Sequence, residues 1–307
     1  MDTIFNILLS DSFFKAFLND YYIQVLTMLG IYLIGSLGLN LITGVTGQLS
    51  FGHAAFLSIG AYASAITSLK LGMPFPIAIL AGGVMASIWG ILLGFPTLRL
   101  SGDYLGIATL GFGEIVRVVF LNLSITGGAL GMAGIPRNSS LTLVIFVVFF
   151  TIWAMYRLEN SRFGRALVAI REDEIAAEAM GVNITNSKIV AFALGTFFAG
   201  VSGGLYAHLL TYLNPSDFGF LKSFEFLTFV VLGGLGSIPG VILGTSILTL
   251  APEFLRFIAD YRMMVYGLLM VFMMIVRPRG LLGGVRLSRV FKKKLSQRDK
   301  ASATGAN

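Results

Sequence analysis

The chain contains several apolar runs that are each long enough to cross a lipid bilayer, and these runs limit what it can fold into. A helix of about 20 apolar residues spans the roughly 30 Å of bilayer hydrocarbon. Such runs occupy residues 22–43, 49–69, 75–98, 141–157, 189–213 and 263–276. Because backbone polar groups in lipid need internal hydrogen bonds, the runs predict an all-α, polytopic integral membrane protein.

Two further apolar regions raise the expected number of transmembrane segments to about eight or nine. Residues 104–123 are apolar apart from Glu114 and Arg117, and we predict one spanning helix there. Residues 224–255 are interrupted by GGLGSIPG, a Gly/Pro break that favours two short segments. The sequence leaves open whether these two segments span the membrane or re-enter it from one side.

The composition supports a membrane protein and narrows its chemistry. Hydrophobic residues make up 56% of the chain and charged residues 12%, whereas about a quarter of an ordinary soluble domain is charged. The chain has no cysteine, which excludes disulfides, thiolate metal sites and thiol nucleophiles. Its net charge of +7 comes from basic residues beside apolar runs. That pattern reflects membrane topology and contact with lipid, and we expect no nucleic-acid partner.

The distribution of Lys and Arg predicts the orientation, because cytoplasmic loops retain positive charge. The basic tail, 284–307, and the loop at 157–188 are the two strongest basic segments, so we place both in the cytoplasm. Residues 21–283 then form the transmembrane domain, and the acidic segment 1–20 is extracytoplasmic or interfacial. This segment lacks the positive start and the cleavage site of a signal peptide, so we expect it to be retained.

The sequence contains none of the short motifs that carry ATP hydrolysis or metal chemistry. There is no G-x-x-x-x-G-K-[ST] phosphate loop and no H-E-x-x-H motif. We therefore expect this chain to bind no metal or cofactor and to hydrolyse no ATP. The two histidines, His53 and His208, stand alone in small-residue helices, which favours a hydrogen-bonded structural role over a substrate or proton role.

Residues 38–65 combine glycine-punctuated apolar sequence with the polar residues Gln48, Ser50 and His53. One interpretation is a broken helix whose free backbone groups meet the charged ends of a zwitterion, as at the midplane sites of many transporters. The other is a cytoplasmic turn in which Ser50 caps the next helix. The sequence does not decide between them, and the three residues are candidates for a translocation pathway.

The charged residues within the apolar runs are candidates either for the translocation pathway or for structural and interfacial roles. Glu114 and Arg117 are three residues apart, so a helix places them on one face where they can neutralise each other. Intramembrane ions are functional hypotheses by default. Glu114 is therefore a pathway candidate, and a structural ion pair is an equally good interpretation. Glu225 lies near the outer boundary in this topology, which suits a simple interfacial charge.

The cytoplasmic loop contains a polar helix-forming segment, REDEIAAEAMGVN, at 171–183. It is too polar to span the membrane, and Gly181 is placed to end its helix. From these residues alone the segment is either a solvated connection or a surface helix that a partner can push.

This loop resembles the coupling loop of ATP-binding-cassette importer permeases, in which E-A-A is followed by three residues and a glycine. Ala176, Ala177 and Gly181 match that pattern, whereas Ile175 stands at the position of the glutamate. Glu174 lies one residue before that position, and Glu178 directly follows the two alanines. The longer motifs NLITGVTGQLSFGHAAFLSIGAYASA, KIVAFALGTFFAGVSGGLYAH, FLTFVVLGGLGSIPGVILG and RPRGLLG resemble the LivM-type permeases of branched-chain amino acid importers. The resemblance covers roughly residues 30–283.

The resemblance implies a permease subunit of the bacterial or archaeal plasma membrane. It implies import of leucine, isoleucine and valine, with urea, short amides and other amino acids as alternative cargo. It also implies a LivH-like second permease, two cytoplasmic ATPase subunits of the LivG and LivF type that bind ATP and Mg²⁺, and an extracytoplasmic solute-binding protein. Glu174, Ala176, Ala177, Glu178 and Gly181 would form the contact with an ATPase subunit.

Two function classes compete with this interpretation. A stand-alone ion-coupled transporter would need a mid-depth carboxylate and internal inverted repeats. Glu114 is the one candidate carboxylate, it lies next to an arginine, and no repeat is evident. A membrane-embedded enzyme would need a nucleophile or metal constellation, and no residue spacing supports one.

Overall fold

The computed structural model describes residues 19–97 and 102–254, together with the positions 264, 267, 268, 271 and 280–282. Within these residues the chain forms ten α-helices. The first five are α1 Asp20–Leu39, α2 His53–Leu69, α3 Phe75–Thr97, α4 Asp103–Asn122 and α5 Leu141–Glu159. The next five are α6 Arg162–Glu172, α7 Glu174–Ala179, α8 Ile184–Leu210, α9 Phe220–Gly233 and α10 Ile238–Phe254.

The rest of the described chain is short regular structure and connecting loops. A π-helical segment, Asn40–Val45, continues α1. The strands β1, Met132–Ala133, and β2, Tyr212–Leu213, pair antiparallel. Three single 3₁₀ turns complete the set, Ser124–Thr126, Gly128–Leu130 and Pro215–Phe218.

Five spans in the described residues are long and apolar enough to cross a membrane: Asp20–Val45, Phe75–Thr97, Asp103–Asn122, Leu141–Glu159 and Ile184–Leu210. They agree with five of the predicted apolar runs, including the run that contains Glu114. The predicted run at 263–276 lies largely outside the described residues, as do the segment 1–18 and the tail from 283 onwards. The all-α polytopic fold is confirmed, and the total of eight or nine spans stays a prediction.

The longest helix, α8, occupies the centre of the fold and packs against α1, α2 and α3. The close packing is made by glycines, because small residues let helix backbones approach each other in lipid. A Cβ on Gly60 of α2 would collide with the backbone of Gly200 in α8, and a Cβ on Gly82 of α3 would lie 2.6 Å from Gly60 O. The three glycines therefore bring α2, α3 and α8 together at one junction.

The predicted break in 224–255 separates α9 from α10, as expected, and both helices are short. Gly234 and Gly236, in the intervening turn, have positive φ angles of 116° and 76°. The chain near the RPRGLLG motif closes the end of α9, since Leu281 N donates to Leu232 O at 3.0 Å and Leu282 N donates to Gly233 O at 3.1 Å. Two motifs that are distant in sequence thus meet at one turn.

The segment between α5 and α8 differs from the single helix predicted over 171–183. Asp173 is extended, with φ −158° and ψ 114°, and separates α6 from α7. Its Oδ1 accepts hydrogen bonds from Ile175 N at 2.9 Å and Ala176 N at 3.0 Å. An aspartate that caps the next helix interrupts the helical run, which propensity alone does not reveal.

Candidate functional site

The link between α1 and α2 contains the three polar residues singled out in the sequence. His53 is the first residue of α2, and its Nε2 donates to Gly35 O at 2.9 Å. Gly35 lies within α1, well before the π-helical segment ends at Val45. Because His53 bonds to Gly35, the link must turn back along α1 before α2 begins. We call this irregular segment, residues 46–52, the broken link. Irregular backbone of this kind is tolerated at membrane depth where protein covers it.

The buried polar side chains in this link are mostly without hydrogen-bond partners. Gln48 is 3% exposed, Ser50 and His53 are fully buried, and Gln48 Oε1, Gln48 Nε2, Ser50 Oγ and His53 Nδ1 all lack a partner. Ser36 Oγ and Thr43 Oγ1 are also unpartnered. Native proteins rarely leave such groups unsatisfied, and a bound ligand or water is a usual explanation. The interpretation of Ser50 as a helix cap is wrong, because Gly52 occupies the cap position.

The start of α2 is capped by side chains from two other helices. Phe51 N donates to Thr109 Oγ1 of α4 at 3.0 Å, and Ala54 N donates to Ser223 Oγ of α9 at 3.0 Å. These bonds satisfy amides that a helix start leaves open. The same bonds hold the end of the α1–α2 link in place between α4 and α9. Neither Thr109 nor Ser223 was identified from the sequence.

A buried ion pair lies on α9 beside this link. Lys222 Nζ donates to Glu225 Oε2 at 2.9 Å and to the Tyr32 hydroxyl at 2.6 Å. Lys222 Nζ also lies 4.2 Å from the centre of the Tyr32 ring, and the Phe226 ring packs against His53. Glu225 is 7% exposed, so it is buried rather than interfacial. The i, i+3 spacing of Lys222 and Glu225 was the signal that could have found this pair.

The pair predicted on α4 is present and differs from that on α9 in its surroundings. Arg117 Nε donates to Glu114 Oε2 at 2.8 Å, with the side chains 32% and 37% exposed. Gly219, the residue before α9, lies close enough that its Cβ would be 3.9 Å from Glu114 Oε1. Glu114 falls near the middle of α4. Intramembrane ions usually face protein or water rather than lipid, so lipid does not suit this face of α4.

The residues that resemble a coupling loop lie on and around α7. Glu174 begins α7, and its Oε1 pairs with Lys188 Nζ of α8 at 2.5 Å. Ala177 is buried, whereas Ala176, Glu178 and Gly181 are exposed. Gly181 has a φ of 81°, the left-handed conformation expected of a helix-terminating glycine. Two large apolar side chains on this segment, Ile175 and Met180, are 82% and 84% exposed.

Comparison with known proteins gives the family. A profile described as the permease component of branched-chain amino acid transport systems matches residues 21–274. The chain belongs to this permease family. The permease LivM of Salmonella typhimurium is 39% identical over 295 residues, which cover 85% of this chain and 69% of LivM. This identity confirms the predicted LivM-type resemblance.

More distant members of the branched-chain amino acid permease family also align over nearly the whole chain. A probable LivM of Methanocaldococcus jannaschii is 27% identical and covers 86% of this chain and 93% of itself. The permease LivH of Salmonella typhimurium is 27% identical and covers 90% and 99%. No solved structure gave a significant match. As a member of this family, the chain is a multi-pass membrane component of a transporter.

The described residues also bear on metal binding. Within 19–97, 102–254 and the few described positions beyond, no three His, Asp or Glu side chains are grouped so that they could hold a metal ion. The broken link, the polar pair on α4 and the surface of α7 are the features on which a transport mechanism can be built.

Proposed function

We propose that this chain imports leucine, isoleucine and valine as one of two permease subunits of an ATP-driven transporter. A LivH-like permease would be its partner in the membrane. Two LivG- and LivF-like ATPase subunits would bind ATP and Mg²⁺ at the cytoplasmic face, and an extracytoplasmic binding protein would deliver the amino acid. The C-terminus would lie in the cytoplasm of a bacterial or archaeal cell, as the basic residues of the tail suggest. The family match and the names of the related permeases support this proposal.

The observation that carries the coupling part of the proposal is the apolar surface of α7. Ile175 on α7 and Met180, the residue after it, are almost fully exposed in the segment that connects two apolar helices, α5 and α8. An ATPase subunit that covers these side chains would gain apolar burial and a firm contact. The ion pair between Glu174 and Lys188 then joins α7 to α8, the central helix of the fold.

Replacing Gly181 with tryptophan is expected to uncouple ATP hydrolysis from uptake. Gly181 has positive φ and nothing within 4 Å of an added Cβ, so the side chain would project from the proposed contact without disturbing the membrane helices. In proteoliposomes containing the whole transporter, we expect at least a tenfold fall in amino acid taken up per ATP hydrolysed.

Gly72 provides a matched control for the Gly181 variant. It also has positive φ, with nothing within 4 Å of an added Cβ, and it lies in the loop between α2 and α3. Gly72→Trp therefore introduces the same strain and bulk away from α7, and normal coupling is expected. Wild-type coupling in Gly181→Trp would contradict the assignment of the α7 surface.

We place the translocation pathway along the broken link, with Gln48, Ser50 and His53 as pathway residues and Glu114 at its α4 side. The support is the group of unpartnered polar atoms buried there, together with the polar pair on a face of α4 that lipid does not suit. A passing zwitterion could hydrogen-bond to these groups in turn. Selectivity can reside in the binding protein, so tight binding at this link is not required.

Replacing Gln48 with leucine is expected to separate transport from stability. Removing an unsatisfied amide from a buried position should leave the protein as stable as the wild type, or more stable by about 1–3 kcal/mol. Uptake should fall at least tenfold if the amide meets the passing substrate. Thermal unfolding and the initial rate of uptake are the two measurements.

The matched control removes an unpartnered hydroxyl elsewhere. Thr245 of α10 is fully buried, and its Oγ1 has no partner, so Thr245→Val should preserve both stability and uptake. A Gln48→Leu protein that transports normally would refute the pathway assignment.

Competition for uptake tests the cargo. Unlabelled isoleucine and valine should each compete with labelled leucine, whereas urea and short amides should not. Competition by urea would favour the alternative cargo. Uptake driven by an ion gradient without the ATPase subunits would overturn the importer proposal in favour of a secondary transporter.

A further inference from the structure

Arg171, in the last turn of α6, makes a contact that the resemblance to coupling loops does not include. Its Nη1 donates to Gly44 O at 2.5 Å, across 127 positions of sequence. Gly44 belongs to the π-helical segment that ends α1. Widened helical turns are frequent at functional sites, because they change the intrahelical hydrogen-bonding pattern. A surface residue of α6 is thus bonded directly to the membrane helix that precedes the broken link.

The same guanidinium meets the turn between α9 and α10. A Cβ on Gly236 would lie 2.7 Å from Arg171 Nη1 and 2.9 Å from Gly44 O. Gly236 N donates to Asn40 Oδ1 at 2.8 Å, which ties this turn to the start of the π-helical segment. One arginine head group therefore lies where α1 and the α9–α10 turn converge.

The stem of Arg171 is held as closely as its head group. A Cβ on Gly47, at the beginning of the broken link, would lie 2.9 Å from Arg171 Cγ. On the other side, α6 is anchored by its buried residues Leu167 and Ile170. A shift of α6 and α7 would consequently move Arg171 against the π-helical segment, the link and the turn together.

We propose that Arg171 is a positioning residue that transmits the movement of the α6–α7 segment to the broken link and to the α9–α10 turn. This inference rests on the proposed coupling function of α7 and extends it inward. A guanidinium suits the task because its planar, multidentate head is held in a fixed orientation, whereas a lysine ammonium is a point charge on a flexible stem. Arg171 bonds to the backbone of the π-helical segment that continues α1, so it would act through that segment.

The test is the amount of leucine taken up per ATP hydrolysed by the complete transporter in proteoliposomes. Arg171→Ala should lower this ratio at least tenfold while the complex still assembles and hydrolyses ATP. Arg171→Lys should recover part of the loss, because it keeps one donor and the charge. Arg165→Ala is the matched control on the same helix, since Arg165 Nη1 donates to the nearby Asn160 O, and its ratio should be normal.

A double variant shows whether Arg171 acts through the turn. Gly236→Ala puts a methyl group against Arg171 Nη1 and should also lower the ratio. Part of the loss from Gly236→Ala comes from backbone strain at its positive φ angle and from the contact with Gly44 O, so the combination with Arg171→Ala should lose less than the product of the two single losses. Independent, multiplicative losses would overturn the proposal.

Two further outcomes would also overturn it. Arg171→Ala could couple normally, or it could lose ATP hydrolysis and uptake in equal proportion together with thermal stability, as a purely structural residue would. Gly181→Trp, measured in parallel, distinguishes the proposed contact of α7 with an ATPase subunit from the proposed transmission through Arg171. If it uncouples and Arg171→Ala does not, the transmission through Arg171 is wrong and the α7 contact stands. If neither uncouples, the α7 contact itself is wrong.

Discussion

Replacing Glu225 with glutamine is expected to destabilise the folded protein by about 3–5 kcal/mol, because it leaves the Lys222 ammonium buried without its counter-charge. The Glu225 side chain is 9% exposed and the Lys222 side chain is 14% exposed. The Lys222 ammonium has two oxygen partners, Glu225 Oε2 and the Tyr32 hydroxyl. The Tyr32 hydroxyl accepts one hydrogen bond from Lys222 and does not replace the carboxylate. Reversible unfolding of the purified protein in mixed lipid and detergent micelles measures the change.

Removing both charges is the control for this prediction. The double variant Lys222→Met with Glu225→Leu should recover most of the lost stability, because a buried pair replaced by apolar residues of similar size is often neutral. A single variant as stable as the wild type would show that the pair is not buried in the folded protein. Equal losses in the single and double variants would show that packing, and not the unpaired charge, causes the effect.

Replacing Gly60 with leucine is expected to disrupt the central helix junction, at a cost of at least about 3 kcal/mol, the upper end of the usual range for overpacking. A Cβ at Gly60 would overlap the Cα, C and O of Gly200, and backbone cannot move aside as a flexible side chain can. The α2 and α8 helices would have to separate along with α3, whose Gly82 packs against Gly60 O. The yield of monodisperse protein and its thermal unfolding report the loss.

Gly111 of α4 is the matched control for Gly60. It is also a glycine within an apolar helix, but an added Cβ there would meet nothing within 4 Å. Gly111→Leu should fold normally and be slightly more stable, because leucine has a higher helix propensity than glycine. Equal damage from the two substitutions would mean that added bulk in any helix, rather than the contact with Gly200, is responsible.

Much of the candidate site was accessible from local sequence patterns. The Glu114–Arg117 pair follows from their spacing on a helix, and the glycine stop at Gly181 follows from composition. The division of α6 and α7 at Asp173 was missed, because helix propensity favours one continuous helix and a single capping aspartate overrides it. Glu225 was placed at the interface because topology by charge counting gives no information on the depth or burial of one side chain.

The sequence by itself determined that this chain is a bundle of apolar helices with a polar loop, because hydrophobic length and charge are local properties that lipid and water select directly. Only the tertiary structure decided which polar groups, distant in sequence, contact one another. Residues 44, 171 and 236 meet in one contact, and Ser223 accepts a hydrogen bond from Ala54 N, 169 positions earlier in the first turn of α2. Such contacts depend on close helix packing, and no local pattern encodes them. The long apolar runs thus predict the helices, while the glycine junctions fix how those helices fit together.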